Sequence, residues 1–235
     1  MHRALDALIF TPEFLESRTS EEATRRWWTE VSPGVFTGQV LARSWCDALD
    51  HAVAIHESGA RGLDAPSNTM HRRGLLTEAL GLDELLDELA TEWLAPVAKW
   101  LFGDHLVGGV TEQHSYVVRY GEGYDRDLGF HVDDSEVTLN LCLSVTGQGS
   151  ELYFEGPRCA MHVDTEATPV ERFSWSHEPG VAVLHAGKNR HGVRAISGGE
   201  RRNLIVWMRD GTGVERWESD WAHRRCPPWC GAQKI

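Results

Sequence analysis

The sequence predicts an α+β protein in which helices pack outside an all-β half that forms a sandwich or a barrel. In roughly the first hundred residues, apolar side chains recur at helical spacing. From about residue 113 onward, short β-rich segments alternate instead with Gly, Asp, Pro and Ser. No repeat, low-complexity tract or linker divides the chain. We therefore expect a single domain over residues 1–235, with mainly helical support in 1–110, a β core in 111–210 and a C-terminal tail in 211–235.

Two amphipathic helices are predicted in the first half. The segment RSWCDALDHAVAIHESG, residues 43–59, places Leu49 and Ile55 near helical spacing and ends at a glycine. The segment DELLDELATEWLAPVAKWLFG, residues 83–103, carries a second apolar stripe. Because proline lacks a backbone N–H, we expect Pro96 to kink this helix or to divide it.

Five segments of the second half have strand character. They are SYVVRY, SEVTLNLCLS, SELYF, GVAVLHA and RNLIVWM. In the second of them Thr138, Asn140 and Cys142 alternate with three leucines, which predicts one polar and one apolar face. A barrel whose interior holds a ligand needs such a polar face.

The composition is that of an acidic globular chain. Its 235 residues carry 23 Lys and Arg against 35 Asp and Glu, a net charge of −12. Such a surface repels phosphate backbones and anionic lipid, so we expect neither a nucleic-acid nor a membrane partner. The N-terminal MHRALDALIF is too short and too polar for a secretory signal, and five cysteines are few for this length. Both observations favour a cytoplasmic location, and neither indicates an oligomeric state.

Two His-x-Asp pairs occur, at His131–Asp133 and at His162–Asp164. A non-haem Fe(II) centre uses two histidines and one carboxylate on one face of the metal, and leaves its other positions open. Chance alone supplies about 0.7 His-x-Asp pairs in a chain of this composition, so context must decide between them. The first pair lies between two β-rich segments, whereas the second lies in a polar stretch typical of a loop. We assign the metal to the first pair.

His191 is the best candidate for the third ligand. It follows a predicted strand and turn, and Arg201 stands ten residues beyond it at the start of another strand. An arginine fork there would bind the distal carboxylate of 2-oxoglutarate. Neither His177 nor His185 has an arginine at that distance. The neighbouring Arg202 would point to the other face of the strand, and we expect its removal to matter little.

Cys226 and Cys230 enclose two prolines and a tryptophan in the motif CPPWC. A zinc ribbon needs two such pairs, and the sequence supplies only one near this position. We therefore expect ordinary thiols here and not a zinc site.

The motifs around these residues resemble those of a known family. The segments YVVRYGEG, GFHVDDSEVTLNLCLS, GSELYFEG, HAGKNRHGV and GERRNLIVWMR resemble the prolyl 4-hydroxylase and lysyl hydroxylase branch of the Fe(II)- and 2-oxoglutarate-dependent oxygenases. The closest resemblance is to the 2-oxoglutarate and iron-dependent oxygenase domain-containing proteins, and it extends to PSNTMHRRGLLTEALGLDE and CPPWC. It implies a double-stranded β-helix, a jelly-roll catalytic core, with the site at its mouth.

The same resemblance implies further site residues. Tyr120 and Asn140 would help to bind 2-oxoglutarate, and Val193 and Trp207 would line the substrate pocket. Thr138, on the polar face of its strand, is added to that pocket. In some relatives a tyrosine that contacts 2-oxoglutarate stands where this chain has Cys142, and Asn140 would then replace its hydrogen bond.

The implied activity is hydroxylation of an unactivated C–H bond, with Fe(II), 2-oxoglutarate and O2 consumed or bound and ascorbate as a reductant. The expected substrate is an amino-acid side chain, free or in a peptide or protein. The first alternative is the same chemistry on a small metabolite. A nucleic-acid demethylase is disfavoured by the net charge of −12. The alternative from another class is a jelly-roll protein that binds a metal or ligand without catalysis.

Two long polar segments, 59–74 and 156–180, exceed the usual length of a connection. The second joins two predicted strands of the core, so both of its ends would lie near one end of the barrel. We expect both segments to cover the mouth and to become ordered when substrate binds.

Overall fold

The computed structural model describes residues 8–59, 74–103, 105–106, 109–210 and 226–234. The α-helices are α1 Pro12–Ser17, α2 Glu21–Trp27, α3 Arg43–Gly59, α4 Asp83–Glu88 and α5 Ala95–Phe102. The strands are β1 Thr29–Ser32, β2 Val35–Gln39, β3 Leu75–Leu76, β4 Glu112–Gly121, β5 Leu128–His131, β6 Val137–Val145, β7 Gln148–Gly149, β8 Leu152–Pro157, β9 Arg172–Trp175, β10 Val181–Ala186, β11 Asn189–Val193, β12 Ile196–Gly198 and β13 Glu200–Arg209. In these described residues, no helix combines the length and the apolar character that a membrane crossing requires.

The first predicted helix is confirmed as α3, with the predicted bounds. It buries Cys46, Leu49 and Val53. Ile55 was assigned to the same stripe, but its side chain is 58% exposed. The apolar stripe is therefore narrower than the sequence pattern suggested.

The second predicted helix is divided, as the proline indicated. A π-helical segment, Leu89–Leu94, separates α4 from α5, and Pro96 lies in the first turn of α5. Proline cannot donate to the carbonyl four residues earlier, and a wider turn accommodates the break. Both α4 and α5 still bury their apolar faces, including Leu86 and Val97.

Two antiparallel sheets form the β core. The larger has the order β1-β2-β10-β6-β13-β4-β3, and the smaller has the order β5-β11-β8-β9. All five predicted strand segments overlap these strands, and three of them begin one or two residues before the observed strand. One feature was missed: β1 and β2 come from the mainly helical first part and extend the larger sheet beside β10. The architecture is the expected α+β jelly roll with helices outside it.

The two faces of β6 contact different parts of the protein interior, one apolar and one partly polar. Its leucines at positions 139, 141 and 143 join a large apolar cluster between the outer face of the larger sheet and the helices. A second cluster fills the space between the two sheets, with Tyr116 and Ile205 from one sheet and Phe154 from the other. Thr138 and Asn140 face this interior beside a cavity. The predicted polar face is therefore confirmed, and it is the face that positions the site.

The segment 156–180 is a built part of the fold rather than a free lid. Arg158 is 4% exposed, and its guanidinium binds both carboxylate oxygens of Glu171 at 2.7 and 3.0 Å. It also donates to Thr165 Oγ1 at 2.7 Å. Arg190 of β11 fastens the same segment through the carbonyls of Val163 and Thr165. The expectation that this segment becomes ordered on substrate binding does not fit these contacts, and most of the segment 59–74 lies outside the described residues.

Candidate metal centre and its neighbouring arginine

Three ligand side chains converge at one end of the barrel. His131 ends β5, Asp133 follows it, and His191 lies directly opposite His131 on β11. Their ligand atoms all lie within 4.8 Å of one another. Asp133 Oδ1 is 3.5 Å from His131 Nε2 and 3.7 Å from His191 Nε2. These are the three residues that the sequence nominated, and their spacing suits one metal ion.

Hydrogen bonds to backbone carbonyls orient the two imidazoles so that a nitrogen lone pair of each points toward the metal position. Nδ1 of His131 lies 2.7 Å from the Gly129 carbonyl, and Nδ1 of His191 lies 2.8 Å from the Asn189 carbonyl. Since a carbonyl only accepts, each Nδ1 carries the proton and each Nε2 is left as a ligand atom. Such backbone partners are the usual support of histidines that bind metals.

The carboxylate of Asp133 is oriented from the other side. Thr138 donates its hydroxyl to Asp133 Oδ2 at 2.7 Å, and Ser135 lies 2.8 Å from that hydroxyl. This leaves Oδ1 directed at the two imidazoles. Thr138 was assigned to the substrate pocket, and the structure shows that it also holds the carboxylate in place.

The protonation states favour metal binding. Burial lowers the pKa of the His191 imidazole to about 3, so that ring is neutral at pH 7. Burial alone would raise the pKa of Asp133, but the neighbouring imidazoles and the hydrogen bond with His131 outweigh it and lower that pKa. An ionised carboxylate beside a neutral imidazole is the form in which both groups bind a metal.

A fourth polar group that the sequence interpretation set aside lies behind this set. His185 on β10 is fully buried, and its Nε2 is 3.8 Å from Asp133 Oδ2. Its ring centroid is 4.6 Å from that of His191. His185 is outside the group of three that could share one ion. It therefore lies beside Asp133 without being one of the three candidate ligands.

Arg201 is the most unusual side chain near the centre. It lies on β13 opposite Tyr120 of β4 and is 1% exposed. Within the described part of the chain, none of its three guanidinium nitrogens has a hydrogen-bond partner. Its guanidinium carbon lies 4.5 Å above the ring of Tyr120, and Tyr120 also lines the cavity that holds the metal ligands. A buried guanidinium with five unused donors demands an anion, and a carboxylate is the best geometric match.

Polar groups continue around this arginine. Asn203 donates to Asn140 Oδ1 and lies 3.1 Å from His177 Nδ1. Burial and the charge of Arg201 hold the pKa of His177 well below its usual value, so this ring is neutral. The sequence interpretation named Asn140 but missed Asn203. The signal was available, since Asn203 shares a strand face with Arg201.

The cavity at the metal ligands brings together most of the predicted pocket. Its wall includes Tyr120, Thr138, Asn140 and Val193, together with Tyr116, Val118, Leu128, Leu152 and Ile205. Trp207 is buried but does not line this cavity. It packs edge-to-face on Tyr116, 5.6 Å between centroids. A larger groove of about 460 Å³, which includes none of the three metal ligands, lies between β2, α5 and the segment after β8.

The alternative His-x-Asp pair lies elsewhere. His162 is in the segment after β8, where its Nδ1 faces Cys159, Cys226 and Cys230. Among the described residues, the cluster of possible metal ligands that contains His162 includes no carboxylate and no second histidine. The structure therefore brings the first pair, and not the second, together with His191.

Comparisons with known proteins agree with this geometry. Residues 2–109 match the family model of the OGFOD2-like domain. The chain is 39% identical over 234 residues to the 2-oxoglutarate and iron-dependent oxygenase domain-containing protein ICU11 of Arabidopsis thaliana. That match covers 97% of this chain and 58% of the relative, so the chain spans less than two thirds of the relative's length.

Solved structures show the same fold. A prolyl 4-hydroxylase from Phytophthora capsici superposes with a TM-score of 0.59 at 13% identity, over 92% of this chain and 76% of that one. The carbocyclase SnoK from nogalamycin biosynthesis gives a TM-score of 0.55 at 16% identity, over 83% of this chain and 86% of that one.

The fold is shared with solved 2-oxoglutarate-dependent enzymes, and the His-Asp-His set is of the kind that holds Fe(II) in oxygenases of that class. Within that class, the chain is similar to the 2-oxoglutarate and iron-dependent oxygenase domain-containing proteins. Fe(II), 2-oxoglutarate and O2 are the cofactor and cosubstrates of this class, and the residues described above fit the first two. Two imidazoles and a carboxylate suit the metal, and the guanidinium of Arg201, which has no hydrogen-bond partner among the described residues, suits a dicarboxylate.

Proposed function

We propose that this chain is a dioxygenase that uses Fe(II) and 2-oxoglutarate to hydroxylate an unactivated C–H bond of an amino-acid side chain, free or in a peptide or protein. One observation carries the proposal. A buried guanidinium without a hydrogen-bond partner among the described residues lies over the ring of Tyr120, which lines the cavity of a His-Asp-His set. A protein that only bound a metal would have no use for this charge, which is costly to bury.

Each residue has a defined task in this proposal. His131, Asp133 and His191 would hold the iron, and Arg201 would bind the far carboxylate of 2-oxoglutarate. Bound iron supplies the activation of O2, coupled to loss of CO2 from 2-oxoglutarate and release of succinate. Tyr120 would position 2-oxoglutarate through its contact with Arg201. Asn140 would present its amide to the same molecule from β6. The apolar side chains at 193 and 205 would keep water from the reacting atoms.

An exposed apolar rim favours a peptide or amino-acid substrate. Phe130 and Val132 flank His131 and are 50% and 40% exposed. Apolar side chains exposed beside a buried polar site commonly contact a ligand or partner. The fold likeness to a prolyl 4-hydroxylase supports the same substrate class.

The alternative is a small metabolite, and the fold likeness to the carbocyclase SnoK supports it. Val193 lines the cavity, whereas Trp207 packs behind Tyr116, so Trp207 would shape a small pocket indirectly. The net charge of −12 still argues against nucleic acid as the substrate.

We also propose a reducing, cytoplasmic location. The five cysteines support it, since they are few for a chain of this length.

The test has two stages. Anaerobic addition of Fe(II) and 2-oxoglutarate should produce a visible charge-transfer absorption in the wild type and none in Asp133→Ala. With O2, succinate release should then rise when a peptide or amino-acid library contains the substrate. Substitution of the exposed His51 by Ala is the matched control and should change neither result.

Each alternative has its own outcome. Absence of the absorption in the wild type would favour a non-catalytic binding protein. Stimulation by small metabolites alone would favour the alternative substrate class.

A further inference from the structure

Four side chains that the iron site does not use converge at a second point. They are Cys159 and His162, in the segment after β8, and Cys226 and Cys230, near the end of the chain. Their four ligand atoms all lie within 4.8 Å of one another. We propose that these residues form a second metal centre, which holds a structural zinc ion.

The distances match those of a tetrahedral site. His162 Nδ1 is 3.2, 3.4 and 3.6 Å from the sulfurs of Cys159, Cys226 and Cys230. The sulfurs of Cys159 and Cys226 are 3.9 Å apart. With Zn–S of about 2.3 Å and Zn–N of about 2.0–2.1 Å, tetrahedral geometry separates two sulfurs by ~3.8 Å and sulfur from nitrogen by ~3.6 Å. A disulfide would bring two sulfurs to about 2.05 Å.

The chemistry of the four ligands distinguishes this centre from the iron site. Three soft thiolates and one imidazole form a common structural zinc set. Four protein ligands also complete a tetrahedral shell and leave no position for a substrate. The His131, Asp133 and His191 set supplies only three ligands of harder character. The two centres should therefore take different metals.

The surroundings favour bound zinc over a reactive cysteine. Cys159 and Cys230 are buried, and the backbone N–H of Cys159 points at the sulfur of Cys230 at 3.4 Å. A divalent cation at the centre of the cluster would stabilise the thiolates that burial disfavours.

Zinc here would join two segments that are far apart in sequence. Cys159 and Cys226 are separated by 67 positions. Beyond the cluster, Trp229 stacks on His105 with 5.0 Å between ring centroids. Gly231 lies so close to the Glu171 carboxylate that a Cβ there would collide with it. The metal would fix the end of the chain against the segment after β8 and the region that follows α5.

This centre was not predicted from the sequence, because its two pairs of ligands differ in residue type and are far apart along the chain. The first is Cys-x-x-His and the second is Cys-x-x-x-Cys, each within the spacing that zinc sites use. The sequence analysis considered His162 only as part of a second His-x-Asp pair, which it did not select as a metal site. Only the fold shows that the two pairs meet.

Metal analysis of the purified protein tests the proposal directly. After dialysis against a weak chelator, the wild type should retain about one zinc per chain. Cys226→Ser and Cys159→Ser should each retain less than about a tenth of that amount. Replacement by Co(II) should give the strong visible absorption of tetrahedral thiolate coordination, which is a readout independent of enzyme activity.

Matched variants show whether zinc binding depends on these four ligands. Cys46→Ala removes a buried thiol outside the cluster and should keep its zinc. Asp133→Ala should lose iron and keep zinc, so failure of the proposed iron site would not affect this outcome. If the serine variants do not fold, His162→Cys preserves four ligands and should fold and bind zinc. Undiminished zinc in Cys226→Ser, loss of zinc in Asp133→Ala, or a wild type without zinc would each overturn the proposal.

Discussion

Arg201 shows how one residue can be unfavourable for the fold and necessary for function. Its guanidinium is 1% exposed, and no described residue accepts a hydrogen bond from it. The ring of Tyr120 offsets part of the desolvation cost through a cation–π contact. The remainder is offset only when an anion binds, so stability and ligand affinity should respond oppositely to removal of this charge.

We expect Arg201→Met to weaken 2-oxoglutarate binding by about 2–5 kcal/mol, since one carboxylate would lose a charge-assisted bidentate contact. Without 2-oxoglutarate, the free energy of unfolding of this variant should equal or exceed that of the wild type, because a buried charge has been removed. Calorimetric titration of the metal-loaded protein and urea unfolding of the apoprotein measure the two effects. Arg172→Met, at an exposed position, should change neither. Loss of apoprotein stability in Arg201→Met would contradict this account of the site.

At this scale the sequence predicted the site wherever the ligands share short, regular spacing. His131 and Asp133 are two residues apart, and Arg201 follows His191 by ten. Alternation along a strand then assigns Asn203 to the same face as Arg201. His185 and the cysteine cluster could not be assigned in this way, because their partners are set by tertiary contacts between distant segments.

The two faces of β13 serve different purposes. Arg201 faces the interior, whereas Arg202 faces α3 and binds Asp50 at 2.9 Å and Glu57 at 3.1 Å. Arg119 of β4 shares Glu57 at 2.7 Å. These half-buried ion pairs fasten α3 to the outer face of the larger sheet. The predicted orientation of Arg202 is thus confirmed, but its surroundings indicate that removal would matter.

Arg202→Met should lower the free energy of unfolding by about 1–3 kcal/mol, because Asp50 would lose a charged donor in a poorly hydrated position. The comparison variant is Arg43→Met, which removes the ion pair between Arg43 and Asp47 within α3. Their side chains are 66% and 61% exposed, so its loss should lower the free energy of unfolding by at most about 0.5 kcal/mol. Denaturant unfolding of both variants gives the comparison. Affinity for 2-oxoglutarate should stay unchanged in both. A loss of affinity in Arg202→Met equal to that in Arg201→Met would contradict the assigned strand register.

The segment after β8 is held by a buried ion pair, which makes its stability depend on pH. Burial opposes ionisation of Glu171, but hydrogen bonds from Arg158 and Thr168 lower its pKa from 4.5 to about 2. A depressed folded-state pKa gives stability that is present above the unfolded pKa and is lost as pH falls through the folded value. The contribution of this pair should therefore disappear between about pH 4.5 and pH 2.

Glu171→Gln should thus be less stable than the wild type at pH 7, and the difference should shrink as the pH falls through that range. Urea unfolding at a series of pH values measures the difference. The cluster of Cys159, His162, Cys226 and Cys230 is present in both proteins, so any effect of acid on it cancels in the difference in stability. Glu178→Gln, at an exposed position, serves as the control. A difference between Glu171→Gln and wild type that stays constant from pH 7 to pH 2 would show that Arg158 does not hold this carboxylate.

The elements were predictable to the extent that their residues alternate or recur regularly. The five strand segments and α3 show such periodicity, and the structure confirms them. The strands β1 and β2 are short, with four and five residues, and a Pro-Gly turn joins them. Their place at the edge of the larger sheet depends on pairing with β10, which is 142 or more positions later. Local sequence does not encode such a partner.

At the scale of the whole molecule, the barrel is built around a polar interior. The helices cover the larger sheet through one apolar cluster, and the two sheets meet through a second. Arg201 lies against Tyr120 of the second cluster. Among the described residues, its guanidinium has no hydrogen-bond partner, and Asn203 and His177 each keep one polar atom without a partner. The interior is thus incomplete without a ligand, and ligand binding should be coupled to global stability.

We expect 2-oxoglutarate to stabilise the metal-loaded protein by about 2.7 kcal/mol at a concentration one hundred times its Kd, since only the folded state binds it. Thermal unfolding with Mn(II), which keeps the iron-site geometry without turnover, provides the measurement. Two variants should lose most of the upward shift in Tm. One is the Asp133→Ala variant, which lacks a metal ligand, and the other is Arg201→Met, which lacks the carboxylate partner. Succinate has the distal carboxylate but no keto acid to chelate the metal, so it should give a smaller shift that depends on Arg201. An equal shift from 2-oxoglutarate in wild type and Arg201→Met would mean that the ligand binds outside this barrel.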